Sequence, residues 1–185
     1  MKSNTIAIAI SYIFNASFYS IYLLPIFVDL KDIFSIVLSI IFLGIMPIIF
    51  IVIQSIRGRI DMFVSHQKER PKYFIPALIG YLTGYILFSL LNKSMLALYH
   101  LSYFTVTFTI FLISFKWKIS VHMAGICGPN TFIILTLGEK YIPLYLLSIL
   151  VGWARYRLKA HTFLQLFMGG IIAIVVTFFT VIYMR

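Results

Sequence analysis

The feature of this sequence that most restricts its fold is a series of unbroken apolar runs, most of them close to the length of a membrane-spanning helix. A helix needs about 20 apolar residues to cross the ~30 Å hydrocarbon core of a bilayer. Seven runs can be placed, at residues 5–27, 33–54, 73–91, 95–115, 121–138, 141–154 and 162–183. Because they lack the half-polar face of helices in soluble proteins, lipid is the solvent that suits them. The sequence therefore predicts an all-α, multi-pass bundle of six or seven transmembrane helices in the cell membrane.

The composition excludes a water-soluble protein. Of the 185 residues, 62% are hydrophobic and 11% are charged, whereas about 25% of the residues of an average soluble domain are charged. No segment has the composition of a separate soluble domain, so we expect a single transmembrane domain over residues 1–185. The single cysteine, Cys127, excludes both a disulfide within the chain and a metal centre built from several cysteines.

The basic residues are distributed unevenly between the two ends of the predicted helices. If every run crosses the membrane once, most of the 15 lysines and arginines lie on one side, called side A here: Lys2, Arg57, Arg59, Lys68, Arg70, Lys72, Lys116, Lys118, Arg155, Arg157 and Lys159. The positive-inside rule makes side A cytoplasmic. Because topology and anionic lipid headgroups explain the net charge of +10, we expect no nucleic-acid partner.

Three polar clusters lie at three separate connections on side A. They are Lys68-Glu69-Arg70-Pro71, then Ser120-Val121-His122, then Arg155 with His161 and Gln165. If the clusters converge, the planar guanidinium groups of Arg70 and Arg155 match phosphate oxygens. Lys68 would add a point charge, and Ser120 would add a hydroxyl donor. The clusters together predict a phosphate-binding pocket.

The two histidines in these clusters begin the fifth and the last apolar runs. Gln165 follows His161 at position i+4, so both side chains lie on one helix face and Gln165 can accept a hydrogen bond from the ring. Such a bond would select the tautomer of His161. Two histidines on opposite sides of a phosphate can divide the reaction, because one attacks phosphorus while the other protonates the departing oxygen. This chemistry requires no metal and no other cofactor.

The clusters and their order resemble the three signatures of the type 2 phosphatidic acid phosphatase superfamily, KxxxxxxRP, PSGH and SRxxxxxHxxxD. Arg70-Pro71 matches the end of the first signature, and Ser120-Val121-His122 stands at the place of the second. Arg155 and His161 have the RxxxxxH spacing of the third. The resemblance implies that His161 is the nucleophile, which forms a phosphohistidine, and that His122 is the general acid.

The chain departs from these signatures at several positions. Phe63 stands where the lysine of the first signature belongs, so Lys68 or Arg59 would have to supply that contact. The second and third signatures are altered at Ile119, Val121 and Ala154, which indicates a remodelled pocket. Gln165 replaces the aspartate of the third signature. A neutral amide can orient a histidine, but it cannot stabilise an imidazolium by charge.

The sequence therefore predicts an integral membrane lipid phosphatase. Its substrate would be a prenyl phosphate or diphosphate, phosphatidate or phosphatidylglycerophosphate, and its partners would be this lipid and the bilayer; the sequence does not indicate an oligomeric state. The alternative is a non-enzymatic carrier or an inactive relative, in which the basic clusters only anchor the helices. Convergence of Arg70, His122, Arg155 and His161 on one pocket distinguishes the two. The resemblance implies an extracytoplasmic site, whereas the basic residues favour the cytoplasmic face.

Overall fold

The structure, a computed structural model, describes residues 2–64 and 66–184, and these residues form helices and connecting loops without a β-strand. The α-helices are α1 (Lys2–Ile13), α2 (Ala16–Tyr22), α3 (Ile33–Ser39), α4 (Met46–Ile56), α5 (Arg70–Leu90), α6 (Ser94–Ser114), α7 (Val121–Leu137), α8 (Leu146–Arg157) and α9 (Phe163–Met184). Short 3-10 helices cover Leu24–Ile26, Gln67–Glu69 and Glu139–Tyr145. The all-α prediction is confirmed for this part of the chain.

Four helical segments are long and apolar enough to cross a membrane: Ile33–Ile56, Gln67–Leu90, Ser94–Ser114 and Phe163–Met184. Helices α1 and α2 meet at an angle of 58° and together provide a fifth candidate span. These segments fit the predicted multi-pass membrane protein. The count of six or seven crossings stays a prediction, because α7 has only 17 residues and α8 only 12.

A proline explains the irregular middle of the span Ile33–Ile56. The segment Ile40–Ile45 between α3 and α4 is a π-helix, and Pro47 follows directly in the first turn of α4. Proline has no N–H to donate and its ring clashes with the carbonyl four residues earlier, here that of Leu43, so the helix widens. The hydroxyl of Ser20 on α2 lies 3.5 Å from this Leu43 carbonyl.

Helix α7 is the most enclosed helix of the bundle and packs extensively on α9 and α2. Its small residues permit this close packing: a side chain at Gly125 would overlap Ala16 of α2, and one at Gly128 would press on Thr177 of α9. The fifth and sixth apolar runs are short and contain Gly and Pro, from which the sequence predicts that they pack within the bundle. For the fifth run, which forms α7, this expectation is confirmed.

The sixth apolar run behaves differently from that expectation. It is divided between the 3-10 helix Glu139–Tyr145 and α8, and the outer face of α8 exposes Leu146, Ile149 and Trp153. Its inner face packs on α1 and α7. The run therefore contributes one wall of the bundle rather than its centre.

Candidate functional site

Arg70 is held at the beginning of α5. The predicted run begins at residue 73, but the helix begins at Arg70 because Pro71 occupies its first turn, where a missing N–H costs nothing. The Arg70 side chain is only 6% exposed, and its Nη1 donates a hydrogen bond of 2.7 Å to the carbonyl of Ile119. This bond ties the beginning of α5 to the residues that precede α7.

Ser120 is the N-cap of α7. Its Oγ accepts the backbone N–H of Met123 at 3.3 Å, and its own N–H donates to the Gln165 carbonyl of α9 at 3.3 Å. The residue is fully buried, and Gly169 of α9 lies against its carbonyl. Ser120 therefore positions the beginning of α7 against α9. Because its Oγ already accepts the Met123 N–H and its own N–H is bonded to Gln165, Ser120 could offer a phosphate only its hydroxyl hydrogen.

The turn before α9 determines the tautomer of His161. Thr162 and Gln165 form a capping box, in which the Gln165 Oε1 accepts the Thr162 N–H at 3.1 Å and the Thr162 Oγ1 accepts the Gln165 N–H at 3.3 Å. A backbone N–H can only donate, so the Gln165 atom that faces it is the oxygen. The same oxygen lies 3.3 Å from Nδ1 of His161. Nδ1 therefore carries the hydrogen, and Nε2 carries the lone pair that a nucleophile needs.

His122 is oriented by the end of α1. Its ring is 8% exposed, and its Nε2 lies 3.1 Å from the carbonyl of Ser11. This carbonyl is in the last turn of α1, which ends at Ile13, so it belongs to the group that lacks a helical N–H partner. Since a carbonyl only accepts, Nε2 of His122 carries a hydrogen and Nδ1 is the nitrogen that can exchange a proton.

Arg155 lies in the last turn of α8 and is 3% exposed. Its guanidinium carbon is 4.4 Å from the centre of the Phe63 ring, and that ring is 5.8 Å from the ring of His122. Two guanidinium nitrogens, Nε and Nη1, are buried without a hydrogen-bond partner among the described residues. Buried N–H groups of a cation are costly when they have no acceptor, so this arrangement favours an incoming anion.

The predicted cations and histidines lie in one electrostatic cluster. Burial, and then the positive charges of Arg70, Arg155 and Lys118, lowers the pKa of His161 to about 3. His122 in turn interacts electrostatically with Arg155, His161 and Arg70. Arg70, His122, Arg155 and His161 thus lie near enough to one another to interact electrostatically, and of the four, Arg70 and His122 also line the cavity described below.

The lysine at this cluster is not the one that the sequence favours. Lys68 lies on the exposed side of the 3-10 helix Gln67–Glu69. Lys118 is half-buried, and burial followed by the charges of Arg70 and Arg155 lowers its pKa. Lys118 stands two residues before Ser120 in the sequence, and this position could have indicated that Lys118 lies at the cluster.

The loop before α5 brings an acidic and an aromatic side chain to the same cations. The charge of Asp61 acts on Arg70, Arg155 and Lys118, and its Oδ1 accepts the N–H of Phe63 at 2.9 Å. Nothing in the sequence indicates Asp61 at the pocket, whereas Phe63 stands at the place of the lysine of the first signature. Asp61 partly balances the positive charge that a phosphate would otherwise neutralise.

Next to the charged groups, the bundle contains a partly open cavity of about 130 Å³. Arg70, His122 and Phe63 line its charged end, while mostly apolar and aromatic residues of α5, α6 and α7 line the rest. In the described part of the chain, no three His, Cys, Asp or Glu side chains lie close enough together to hold a metal ion.

No protein-family model, no curated protein and no solved structure matches this chain. Membership of the phosphatase superfamily therefore stays a prediction that rests on the three clusters. The geometry of the site is independent of that prediction, because it follows from the contacts of the chain itself.

The lowered pKa of His161 predicts a pH-dependent stability. In the unfolded chain a histidine titrates near 6.5, so between pH 6.5 and 3 only the unfolded state binds this proton and stability falls as the pH falls. Between pH 7.5 and pH 5, His161 should cost the wild type about 2 kcal/mol of its free energy of unfolding. Thermal unfolding of wild type and His161→Asn at both pH values measures this difference. Parallel losses in the two proteins would show that His161 is not held neutral.

Proposed function

We propose that the protein is an integral membrane phosphatase that hydrolyses a lipid phosphomonoester or diphosphate through a phosphohistidine at His161. The observation that carries this proposal is the burial of Arg70, Arg155, His122 and His161 in one cluster, although they come from three separate connections. Residues that only anchor helices keep their charged ends in the headgroup region. Anchoring gives no reason to bury two guanidinium groups beside two imidazoles.

The cations would bind the phosphate. Arg155 offers Nε and Nη1, which have no partner among the described residues, and Arg70 retains donors besides the Nη1 that binds the Ile119 carbonyl. Lys118 supplies a third positive charge at the same place. Charge-assisted hydrogen bonds from these groups would hold the substrate and stabilise the charge that develops in the transition state.

The histidines would carry the covalent steps. Nε2 of His161 attacks phosphorus, and the bond from phosphorus to the leaving oxygen breaks with its electron pair. His122, whose protonated form the negative charge of the bound phosphate favours, donates its Nδ1–H to that oxygen. His122 then takes a proton from water, whose oxygen attacks phosphorus and releases His161. The net reaction converts a lipid phosphate and water into the lipid alcohol and inorganic phosphate, or a lipid diphosphate into the monophosphate and inorganic phosphate.

The substitution of Gln165 for a carboxylate is compatible with this mechanism. The low pKa of His161 keeps the ring neutral at physiological pH, so no carboxylate is needed to obtain the lone pair. Gln165 holds the ring by a hydrogen bond to Nδ1. The positive charge that forms on the ring during attack is then balanced by the bound phosphoryl group itself.

A second candidate, the non-enzymatic or inactive protein, is favoured by the loop before α5. Phe63 lies over Arg155, and Asp61 acts on the same cations, so two side chains of this chain compete for the place of a phosphate. In a phosphatase, substrate binding would have to displace the Phe63 ring. Activity measurements separate the two candidates.

The histidine mechanism predicts distinct effects for the two rings. With purified protein and a panel of lipid phosphates and diphosphates, His161→Ala should abolish phosphate release, because it removes the nucleophile. His122→Ala should slow release by about a hundredfold to ten-thousandfold, the usual contribution of a general acid–base group. An acid-labile phosphoenzyme should form in wild type and not in His161→Ala.

His66→Ala, which changes an exposed histidine outside the cluster, is the control. Absence of release from every lipid with folded wild type would favour the carrier.

The position of the lysines predicts which of them binds phosphate. Lys118→Met should raise the KM for the lipid phosphate by about tenfold, because a charged hydrogen-bond donor near the phosphate is lost. Lys68→Met should change the KM by less than about twofold, since an exposed surface charge contributes little. Steady-state kinetics of the two variants decide the question. A larger effect of Lys68→Met would return the assignment to the lysine favoured by the sequence.

We place the site on the cytoplasmic face, on the basis of the basic residues of side A. In a Cys127→Ser background, a cysteine introduced by Gln67→Cys should react with a membrane-impermeant maleimide only after the cells are permeabilised. Gln67 lies in the half-exposed 3-10 helix just before α5, next to the charged cluster. Labelling of intact cells would place the site on the outer face, where the resembled family has it.

A further inference from the structure

The cavity joins the charged cluster to the interior of the bundle. Phe63, Arg70 and His122 line its charged end, and Tyr103 and Phe132 are among the residues that line its inner end. It therefore offers one continuous space with the guanidinium of Arg70 at one end and a largely apolar wall inside. This combination matches a molecule that has an anionic head and an apolar chain.

The cavity extends about 15 Å along the helices that line it. Arg70 and Tyr81 both line it and are eleven positions apart on α5. His122 and Phe132 both line it and are ten positions apart on α7. At 1.5 Å per residue each separation corresponds to about 15 Å along a helix, which is half of the ~30 Å hydrocarbon core.

The inner wall is largely apolar, and several of its hydroxyl groups are already bonded to the protein. The wall hydroxyl of Tyr99 donates to the Ser20 carbonyl at 3.0 Å, and that of Ser102 donates to the Leu98 carbonyl at 2.9 Å, so both are already satisfied by the protein. The hydroxyls of Tyr103 and Thr177 on this wall have no hydrogen-bond partner in the described chain. The remaining wall is largely apolar, so it suits a hydrocarbon chain better than a polar ligand.

The volume limits how much of a ligand can enter. At about 130 Å³ the cavity is comparable to the engineered 150 Å³ apolar cavity that binds one benzene molecule in another protein. Such a space has room for one slender hydrocarbon chain and not for two side by side. A hydrocarbon chain in the bilayer is already in an apolar solvent, so its transfer into the cavity gains little from the hydrophobic effect. Selectivity would therefore depend on how closely the hydrocarbon chain fits the cavity wall.

We propose that this cavity binds one hydrocarbon chain of the substrate, with the phosphate at the arginines, and that the protein prefers single-chain lipid phosphates over two-chain ones. The proposal rests on the proposed function for the identity of the head group. The path of the chain, however, follows from the cavity alone.

Photolabelling tests the path of the chain without requiring turnover. The probe is decyl phosphonate, which a phosphatase cannot hydrolyse, with a diazirine near the end of the chain, added to wild type in lipid nanodiscs. Labels on inward-facing residues such as Tyr103 and Phe132 are expected, whereas labels only on lipid-facing residues such as Phe108 and Leu112 would overturn the proposal. A probe with a hydroxyl in place of the phosphonate should label these inner residues at least about tenfold less, because it lacks the charge-assisted contacts. Equal labelling by both probes would overturn the link between chain and phosphate.

A matched pair of variants on α5 tests the effect of the cavity on turnover. Ala77→Phe fills the cavity, because Ala77 is buried on its wall, whereas Thr83→Phe adds the same ring to the exposed face of the helix. For decyl phosphate, kcat/KM should fall at least about tenfold in Ala77→Phe, as expected when a chain no longer fits its pocket, and change less than about twofold in Thr83→Phe. For ethyl phosphate both variants should equal wild type.

The outcomes separate this proposal from the proposed function. Equal use of decyl phosphate by Ala77→Phe and wild type would overturn the chain-binding cavity and leave the phosphatase intact. An equally fast turnover of two-chain phosphatidate and decyl phosphate would overturn the preference for one chain. If wild type releases phosphate from neither decyl nor ethyl phosphate, the proposed function fails, and the photolabel still reports whether the chain enters the cavity. If Ala77→Phe does not fold, the labels on wild type decide alone.

Discussion

A cluster of buried positive charge at one end of a helix bundle is the constraint on which the rest of this structure depends. Arg70 and Arg155 are almost completely removed from solvent, and burial of charge is unfavourable unless other groups compensate for it. The compensation present is partial: a carbonyl for Arg70, an aromatic face for Arg155, and the carboxylate of Asp61 nearby. An anion that binds between the arginines would complete it, so the fold favours occupancy of the site.

The cluster exists because helix termini meet there. Helices α5, α7 and α9 begin at this end of the bundle and α1 and α8 end there, and unpaired backbone groups at such termini bind side chains. The Ser11 carbonyl at the end of α1 orients His122, and the capping box at the beginning of α9 orients His161. The backbone bond from Ser120 to Gln165 then ties α7 to α9. The same bonds that terminate the helices therefore also select the histidine tautomers.

The two halves of the cavity have complementary chemistry. Arg70 and His122 line its outer end, and largely apolar side chains of α5, α6 and α7 line its inner end. The small residues of α7 let α2 and α9 approach closely, and residues of these two helices, among them Ala16 and Thr177, also line the cavity. Phe63 lies at the junction of the two halves, in contact with Arg155 and near His122. The loop before α5 therefore places an aromatic ring between the charged end and the channel.

The sequence by itself determined the all-helical membrane architecture, because apolar runs of this length satisfy their backbone groups in lipid only as helices. It also identified the arginines and histidines of the cluster, and the i+4 spacing predicted the contact between Gln165 and His161. Only the tertiary structure decided which lysine reaches the cluster, how Ser11 orients His122, and that Asp61 and Phe63 lie among the cations. These contacts join residues far apart in the chain, and they depend on helix packing and on the path of an irregular loop, which local periodicity does not encode.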